Sequence, residues 1–515
     1  MAKGTGTTKQ AWERVMALAS PGLKELFESD PARVETMTRR LNWPCDVEGE
    51  TTGMRVDFSK THLDAAALDA FEALAQASGF AEARAALFSG GIVNPTEGRA
   101  ANHGAMRGSG THADTEEAAA LLARMGMLVD AIHEGVLGDI KHLIHIGIGG
   151  SALGPALAVD ALTRDLAKVD VHVVSNIDGL ALEQAFAACD PATTLIAVAS
   201  KTFTTIETMT NASSALAWLE SEGVADPSGR VVALTASPEK AVAWGVDETR
   251  ILPFPESVGG RYSLWSSIGF PAAMAIGMAE FREFLGGAQA IDTHFRESEG
   301  RANTPLLAAF VDQYYARVRG CQTRAVFAYD ERLALFPDYL QQLEMESNGK
   351  SVTAEGQPVD GPTAAITWGG VGTDAQHAVF QLLHQGTHLV PVDFIASVAP
   401  GDELDPAHHR TLLLNCLAQG AALMAGKASD DDPARAYPGD RPSVTFLTDD
   451  IDPSTLGALI AFHEHRTFAN AVLMGINPFD QFGVELGKAI AKQIDAGEGE
   501  FDASTSALMD AAGLR

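Results

Sequence analysis

Gln342 and Glu346 stand four apart in the run Gln341-Gln342-Leu343-Glu344-Met345-Glu346-Ser347-Asn348-Gly349-Lys350, so on a helix they share one face. A carboxylate facing a cleft can take and return a proton, although most glutamates are simply solvated. Val258-Gly259-Gly260-Arg261-Tyr262-Ser263 sets Arg261 directly after two glycines. A tight turn there can project a guanidinium into a cleft, and a surface arginine is the plainer alternative. Gly372-Thr373-Asp374-Ala375-Gln376-His377 opens an apolar helix predicted to run on through His384 to Gly386, with the two histidines seven apart. Asp480-Gln481-Phe482-Gly483-Val484-Glu485-Leu486-Gly487-Lys488 places Gln481 and Lys488 two helical turns apart at a helix start.

Two further runs suit an anion. Gly147-Ile148-Gly149-Gly150-Ser151-Ala152-Leu153-Gly154-Pro155 follows an apolar run, and its glycines allow a sharp turn with amides open to a ligand. Read loosely, it also matches a dinucleotide fingerprint. However, Asn176 stands where that fingerprint requires a ribose-binding acid, and a purely structural turn remains open. Ser200-Lys201-Thr202-Phe203-Thr204-Thr205-Ile206-Glu207-Thr208 offers five hydroxyls and one ammonium where a helix should begin. Hydroxyls and helix amides can ring a phosphate; an ordinary N-cap is the alternative. Taken with the glycine loop, a phosphate site is the better reading. It is not a Walker A loop.

These loops need strands to carry them. Short apolar runs at His142–Gly147, Val171–Ser175, Leu195–Ser200 and Val231–Thr235 alternate with helical stretches. The alternation returns at Ala325–Tyr329, Ala364–Trp368, Leu389–Phe394 and Val444–Leu447. The pattern predicts an α/β fold with mainly parallel sheets covered on both faces. It divides into a helical N-terminal extension over 1–120, α/β domains over 121–290 and 291–490, and a helical C-terminal tail over 491–515. The segment from Gly90 to Thr111 reads as an ordered loop carrying Arg99 and Arg107. Ligands bind beyond the carboxyl ends of such strands.

The chain has 515 residues, 46% hydrophobic and 20% charged, which is the composition of a globular protein. Its 67 acidic against 37 basic side chains leave a net charge of −30, which argues against nucleic acid or an anionic membrane as partner. An anionic substrate would need a local positive pocket. Cys45, Cys189, Cys321 and Cys416 are scattered without a CxxC pair, the usage of a reduced, cytoplasmic protein. No HExxH occurs, and His408-His409 and His463-x-His465 read as turn or helix residues, so no metal is assigned. MAKGTGTTKQ has no apolar core of a signal peptide, and no apolar run is long enough to span a membrane.

Each motif is equivocal alone, but their order is not. GIGGSxLGP, SKTFTTxET, VGGRYS, QQLxMESNGK, GTxxQHxxxQLxHQGT and QxGVELGK together resemble the glucose-6-phosphate isomerase family over roughly residues 90–490. The resemblance implies two sugar-isomerase-type α/β domains and a homodimer with shared active sites. It implies reversible isomerisation of D-glucose 6-phosphate and D-fructose 6-phosphate through a cis-enediol, in glycolysis and gluconeogenesis, with no cofactor. By resemblance, Gly150, Ser151 and the loop holding Ser200, Lys201, Thr202 and Thr205 bind the sugar phosphate. Gln342 and Gln481 hold the ligand, and Glu346 shuttles the proton. His377 from the partner subunit assists ring opening together with Lys488, and Arg261 lies beside the reacting carbons. Ala152 departs from the family's usual Asp. Arg99–Arg107, RAANHGAMR, keeps only part of the family's RAVLHxALR. A sugar-phosphate sensor would not need Glu346, His377 and Lys488 together, and an amidotransferase relative would need an N-terminal nucleophilic Cys where Ala2 stands.

Overall fold

The computed structural model describes residues 5–45, 50–164 and 167–514. The N-terminal stretch read for a signal peptide begins outside them. The chain forms two compact units, Met1–Pro478 and Phe479–Arg515.

The first unit contains two sheets. One has five strands, β3 (His142–Ile146), β4 (Asp170–Val174), β5 (Thr194–Ala199), β6 (Val231–Thr235) and β7 (Ile251–Pro253), in the order β4-β3-β5-β6-β7. Every pair in it is parallel. β3 and β5 lie side by side although β4 separates them in sequence. The crevice between their carboxyl ends is therefore the topological switch point of the sheet, where ligands bind in such folds. Ile144, Ile146, Val174, Ile196 and Val198 pack on Leu182, Ala185, Ala212 and Leu219 of the helices Gly179–Ala188 and Ile206–Ser221.

The other sheet orders β1 (Thr38–Pro44), β2 (Thr51–Asp57), β11 (Ser443–Thr448), β10 (Val392–Ser397), β8 (Thr323–Tyr329) and β9 (Ile366–Val371). Its last four strands are parallel, while β1 and β2 pair antiparallel and add on at the edge. Residues 1–120, expected to be mainly helical, thus also contribute two strands. Their polar sequence (Arg39, Arg40, Asn42) gives little apolar signal, as suits an edge.

The helix Pro453–Met474 is buried along nearly its whole length. It begins with Asp452 accepting from the Thr455 amide and Pro453 in the first turn, and it ends at Gly475 in the left-handed region. It crosses Met278–Glu297 so closely that a Cβ on Gly457 would lie 1.9 Å from the Phe284 carbonyl, and one on Gly287 1.8 Å from that of Ser454. Only glycine fits at either point.

Because this helix is sequestered, its charged residues must find partners. Arg466 holds Asp312 bidentately at 2.7 and 2.6 Å and Asp393 at 2.6 Å. Arg324 joins Asp312 at 3.1 Å and also binds Glu344. A second cluster centres on Arg107, which holds Asp292 at 2.7 and 2.6 Å and Glu464 at 2.5 Å. Arg107 also stacks over Trp265, whose indole donates to Glu464 at 2.9 Å. Burial opposes ionisation of Asp292, but Arg107 and His465 outweigh it and hold the carboxyl well below its ordinary range. Burial wins at Glu464, which is pushed up to about 7. One guanidinium thus fully serves one carboxylate and half-serves the other.

The two carboxyls should therefore respond unequally to loss of charge. Asp292→Asn should cost about 3–5 kcal/mol, the scale of a broken buried pair, whereas Glu464→Gln should cost clearly less. Urea unfolding of the two variants checks this, and equal losses would contradict it.

Candidate active site

The turn after β3 is shaped by glycines. A Cβ on Gly147 would meet the Ser151 carbonyl at 2.6 Å, and one on Gly150 would lie 2.2 Å from the Gly260 carbonyl carbon and 2.4 Å from the Arg261 amide nitrogen. Gly150 is what lets the Arg261 turn approach this loop. Gly149 has φ +57°, and the Gln342 amide nitrogen lies 3.1 Å from where its Cβ would sit. A 3-10 turn, Gly149–Ser151, leads into the helix Leu153–Thr163, which starts at buried Ala152 with no side-chain cap. An Asp there would supply its own cap; Ala152 leaves the first helical amides to a ligand.

The loop is propped from beneath. His145, fully buried in β3, is 2.7 Å from the Ser151 carbonyl through Nε2. A carbonyl only accepts, so Nε2 carries the proton. Burial pushes the imidazole down to about 4, partly opposed by this bond, so the ring is neutral. No sequence pattern marks His145, because its role depends on which carbonyl lies above it.

Across the switch point, β5 ends in the second loop. Ser200 and Thr205 are joined hydroxyl to hydroxyl at 3.0 Å, and Thr202 to Thr204 at 2.9 Å. Thr205 precedes the helix Ile206–Ser221 without a side-chain cap, so its hydroxyl does not occupy the first helical amides. Phe203 turns at φ +51° to bury its ring beside Trp244. Lys201 donates to the carbonyls of Glu256 at 2.6 Å and Val258 at 3.1 Å. It thus fastens this loop to the turn carrying Arg261. Burial, helped by nearby Arg99, pushes the ammonium down to about 8.

Glu346 closes a π-turn, Gln342–Glu346, that ends the helix Phe336–Gln341. Such turns interrupt helices often at functional sites. Its anchor is Glu344, which binds Arg324 and accepts from the Thr367 hydroxyl at 2.7 Å. Burial opposes that charge, but Arg324 and His463 hold Glu344 well below the usual carboxylate range. Two residues on, Glu346 is 23% exposed, with Oε1 3.4 Å from Nη1 of buried Arg261. Arg261 also donates through Nε to Ser347 Oγ at 2.6 Å and through Nη2 to the Pro478 carbonyl. Tyr262 shares Ser347 at 2.9 Å and stacks on His103 at 4.8 Å, which is how the Arg99–Arg107 segment reaches the site. Glu344, Ser347 and Tyr262 are the site residues that sequence reasoning missed; the first two flank Glu346 within its own motif.

Gly150 and Ser151 follow β3, and Ser200, Lys201, Thr202 and Thr205 follow β5, while Arg261 joins the first loop to Glu346, and Gln342 lies over Gly149. His377 lies on a short helix, Asp374–Ala378, separated by Val379 from Phe380–Gln385, so His377 and His384 do not share one helix. Its side chain is exposed, and among the described residues no hydrogen bond or ion pair joins it to Glu346. Gln481 and Lys488 belong to the second unit. Gln481 precedes the turn Phe482–Val484, and Lys488 lies exposed in the first turn of the helix Glu485–Asp495.

A carboxylate and a guanidinium in contact, beside two loops built for an anion, suit proton transfer next to developing negative charge. Comparison with known proteins agrees with that reading. The phosphoglucose isomerase family profile matches residues 57–509. The chain is 71% identical over 509 residues to a glucose-6-phosphate isomerase of Erythrobacter litoralis, covering 98% of each. It is 69% identical over 504 residues to one of Novosphingobium aromaticivorans, again with 98% of each covered. A crystal structure of a glucose-6-phosphate isomerase from Chlamydia trachomatis superposes with a TM-score of 0.87 at 29% identity, covering 100% of both chains.

His145 supplies a test. Its folded value of about 4 lies below that of an unfolded histidine. As pH falls from about 6.5 towards 4, the unfolded chain binds a proton that the folded chain refuses, and stability is lost. His145→Leu should lack that loss, about 1–2 kcal/mol between pH 6.5 and 5 in urea unfolding. It should also bind inorganic phosphate up to about tenfold more weakly, having lost one hydrogen bond under the loop. An unchanged pH slope together with unchanged phosphate affinity would contradict this role.

Proposed function

The chain belongs to the phosphoglucose isomerase family; it interconverts D-glucose 6-phosphate and D-fructose 6-phosphate, and we propose how its own residues do so. The observation that carries the proposal is the contact of Glu346 with Arg261 beside the two loops at the sheet's switch point.

The phosphate docks between Gly150-Ser151 and Ser200–Thr205, held by hydroxyls and by the opening amides of two helices. The charge of Lys201 lies behind the second loop. This end of the sugar does not react, so its binding energy is spent in placing C1 and C2 against Glu346. Gln342, over the Gly149 backbone, holds the chain of the sugar, and Gln481 adds a second amide.

Substrate arrives mainly as a ring. His377 moves a proton from the anomeric hydroxyl to the ring oxygen, with Lys488 assisting. The open aldose then loses its C2 proton to the Glu346 carboxylate. The electron pair becomes the C1–C2 double bond, and the carbonyl oxygen takes up negative charge as a cis-enediol forms. The Arg261 guanidinium is fixed by Ser347 and Pro478, so it meets that charge without reorganising. Glu346 returns the proton to C1 while the O2 proton passes to O1, and the C2 carbonyl of the ketose forms. Substrate and product are isomers, so the balance needs no redox partner, and we assign no cofactor and no metal to the reaction.

Exposed His377, distant in hydrogen bonding from Glu346 of its own chain, supports a homodimer in which His377 is supplied by the partner. In domain terms, 121–290 carries the phosphate loops and 291–490 carries Glu346 and His377, between the 1–120 extension and the 491–515 tail. We place the enzyme in the cytoplasm, in glycolysis and gluconeogenesis. No helix among the described residues is long and apolar enough to cross a membrane.

In a coupled assay with EDTA present, Glu346→Gln should lose about 10²–10⁴-fold in kcat. His377→Ala should also be strongly impaired. Mixing and reassociating the two inactive variants should restore about a quarter of wild-type activity, because each hybrid dimer with two-fold symmetry keeps one intact site. Near-normal turnover of Glu346→Gln would remove that residue from the mechanism, and failure of the mixture to recover would place His377 in its own subunit's site.

A further inference from the structure

His142, His172 and Cys189 converge at the opposite end of the five-stranded sheet. His142 opens β3, His172 lies within β4, and Cys189 follows the helix Gly179–Ala188. In the parallel register His142 pairs with Asp170, and Ile144 with His172. Residues two apart along a strand share a face, so His142, Asp170 and His172 all project from the face that this helix covers. Cys189 belongs to the apolar cluster on that same face, with Ile144, Val174 and Leu182.

One ligand atom from each of the three side chains lies within 4.8 Å of the other two, and among the described residues this is the group of histidine, cysteine and carboxylate ligands close enough to hold a metal ion. His142 Nδ1 and His172 Nε2 are buried atoms with no hydrogen-bond partner. Each forfeits its hydration without compensation, so something at this point should bind it. The donors are soft and borderline, two imidazoles and a thiol, a set that selects zinc or similar ions over magnesium or calcium.

We propose that His142, His172 and Cys189 form a binding site for one soft divalent transition-metal ion, Zn²⁺ first, with its fourth position open to water. Zn–N bonds of about 2.0–2.1 Å and Zn–S bonds of about 2.3 Å put tetrahedral ligands about 3.3–3.6 Å apart. The three atoms, now within 4.8 Å of one another, must therefore close by up to about 1.2–1.5 Å, through rotation of the two half-buried imidazoles. Burial raises the Cys189 thiol to about 11, lessened by the Thr194 hydroxyl, and burial lowers His172. Asp170 lies alongside, and the metal–sulfur bond forms as the thiol proton leaves for solvent. Five residues of β3, about 16 Å, separate the site from the phosphate loop. The ion ties two strands to a helix and touches no reacting atom.

Chelator-stripped protein should bind one equivalent of Zn²⁺ by calorimetry. With Co²⁺ it should show the near-ultraviolet charge-transfer band of a cobalt thiolate. Zn²⁺ should raise the Tm of the wild-type chain and leave isomerase kcat unchanged. Cys189→Ser should abolish the cobalt band, and His142→Gln and His172→Gln should each weaken Zn²⁺ binding about tenfold or more, all three variants remaining active and therefore folded. Absence of stoichiometric binding in the wild type, or binding that survives undiminished in Cys189→Ser, would overturn the proposal.

Discussion

Glu344 is the constraint on which the site rests. Its carboxylate is buried against Arg324 and the Thr367 hydroxyl, deep in a network that includes Arg466, Asp312 and Asp393. Two residues later in the same π-turn, Glu346 faces the cleft. Neighbours two apart on a helical turn point to nearly opposite sides, so fixing Glu344 inward fixes Glu346 outward. Ser347 completes the arrangement by tying the turn to Arg261 and Tyr262. Buried ion pairs are poor sources of net stability, because desolvation consumes most of the attraction. We read their use here as specifying one geometry. The network joins β8, β10, the helix Thr304–Gln313, the central helix Pro453–Met474 and the turn Gln342–Glu346, so these elements hold one register.

The same logic reconciles the overall charge with the substrate. A chain of net charge −30 binds a phosphate dianion. The first unit gathers Lys201, Arg99 and Arg261 around the loops proposed for the phosphate, where hydroxyls and helix amides offer further contacts without formal charge. Lys201 contributes partly as a fastener, since its ammonium is held by the Glu256 and Val258 carbonyls. The acidic excess belongs to the outer surface, where it favours solubility.

Much of this was legible in the sequence, because strand and loop signals are local. His142–Gly147, Val231–Thr235 and Val444–Leu447 appear within a residue or so of the strands observed. The errors have physical causes. Leu389–Phe394 was expected as a strand, and β10 begins at Val392, after Pro391, which has no amide to donate. Ala364–Trp368 was expected to stop before two glycines, but β9 continues through them. A Cβ on Gly369 would lie 1.8 Å from the Val326 carbonyl, so that glycine belongs inside the sheet. The helix expected from Thr373 to Gly386 breaks at Val379. What the sequence hid is contact between distant segments. Glu344 finding Arg324 and Thr367, His145 finding Ser151, and Cys189 finding His142 and His172 all depend on the fold being complete.

We infer that Glu344 positions Glu346. Steady-state kinetics of Glu344→Gln, on protein shown to be folded by its circular dichroism, tests it most directly. If the anchor sets the geometry of proton transfer, kcat should fall about tenfold to hundredfold, the cost of misplacing a reacting group by a fraction of an ångström to an ångström, while KM stays near the wild-type value because the loops proposed to bind the phosphate are untouched. A folded variant with wild-type kcat would contradict it.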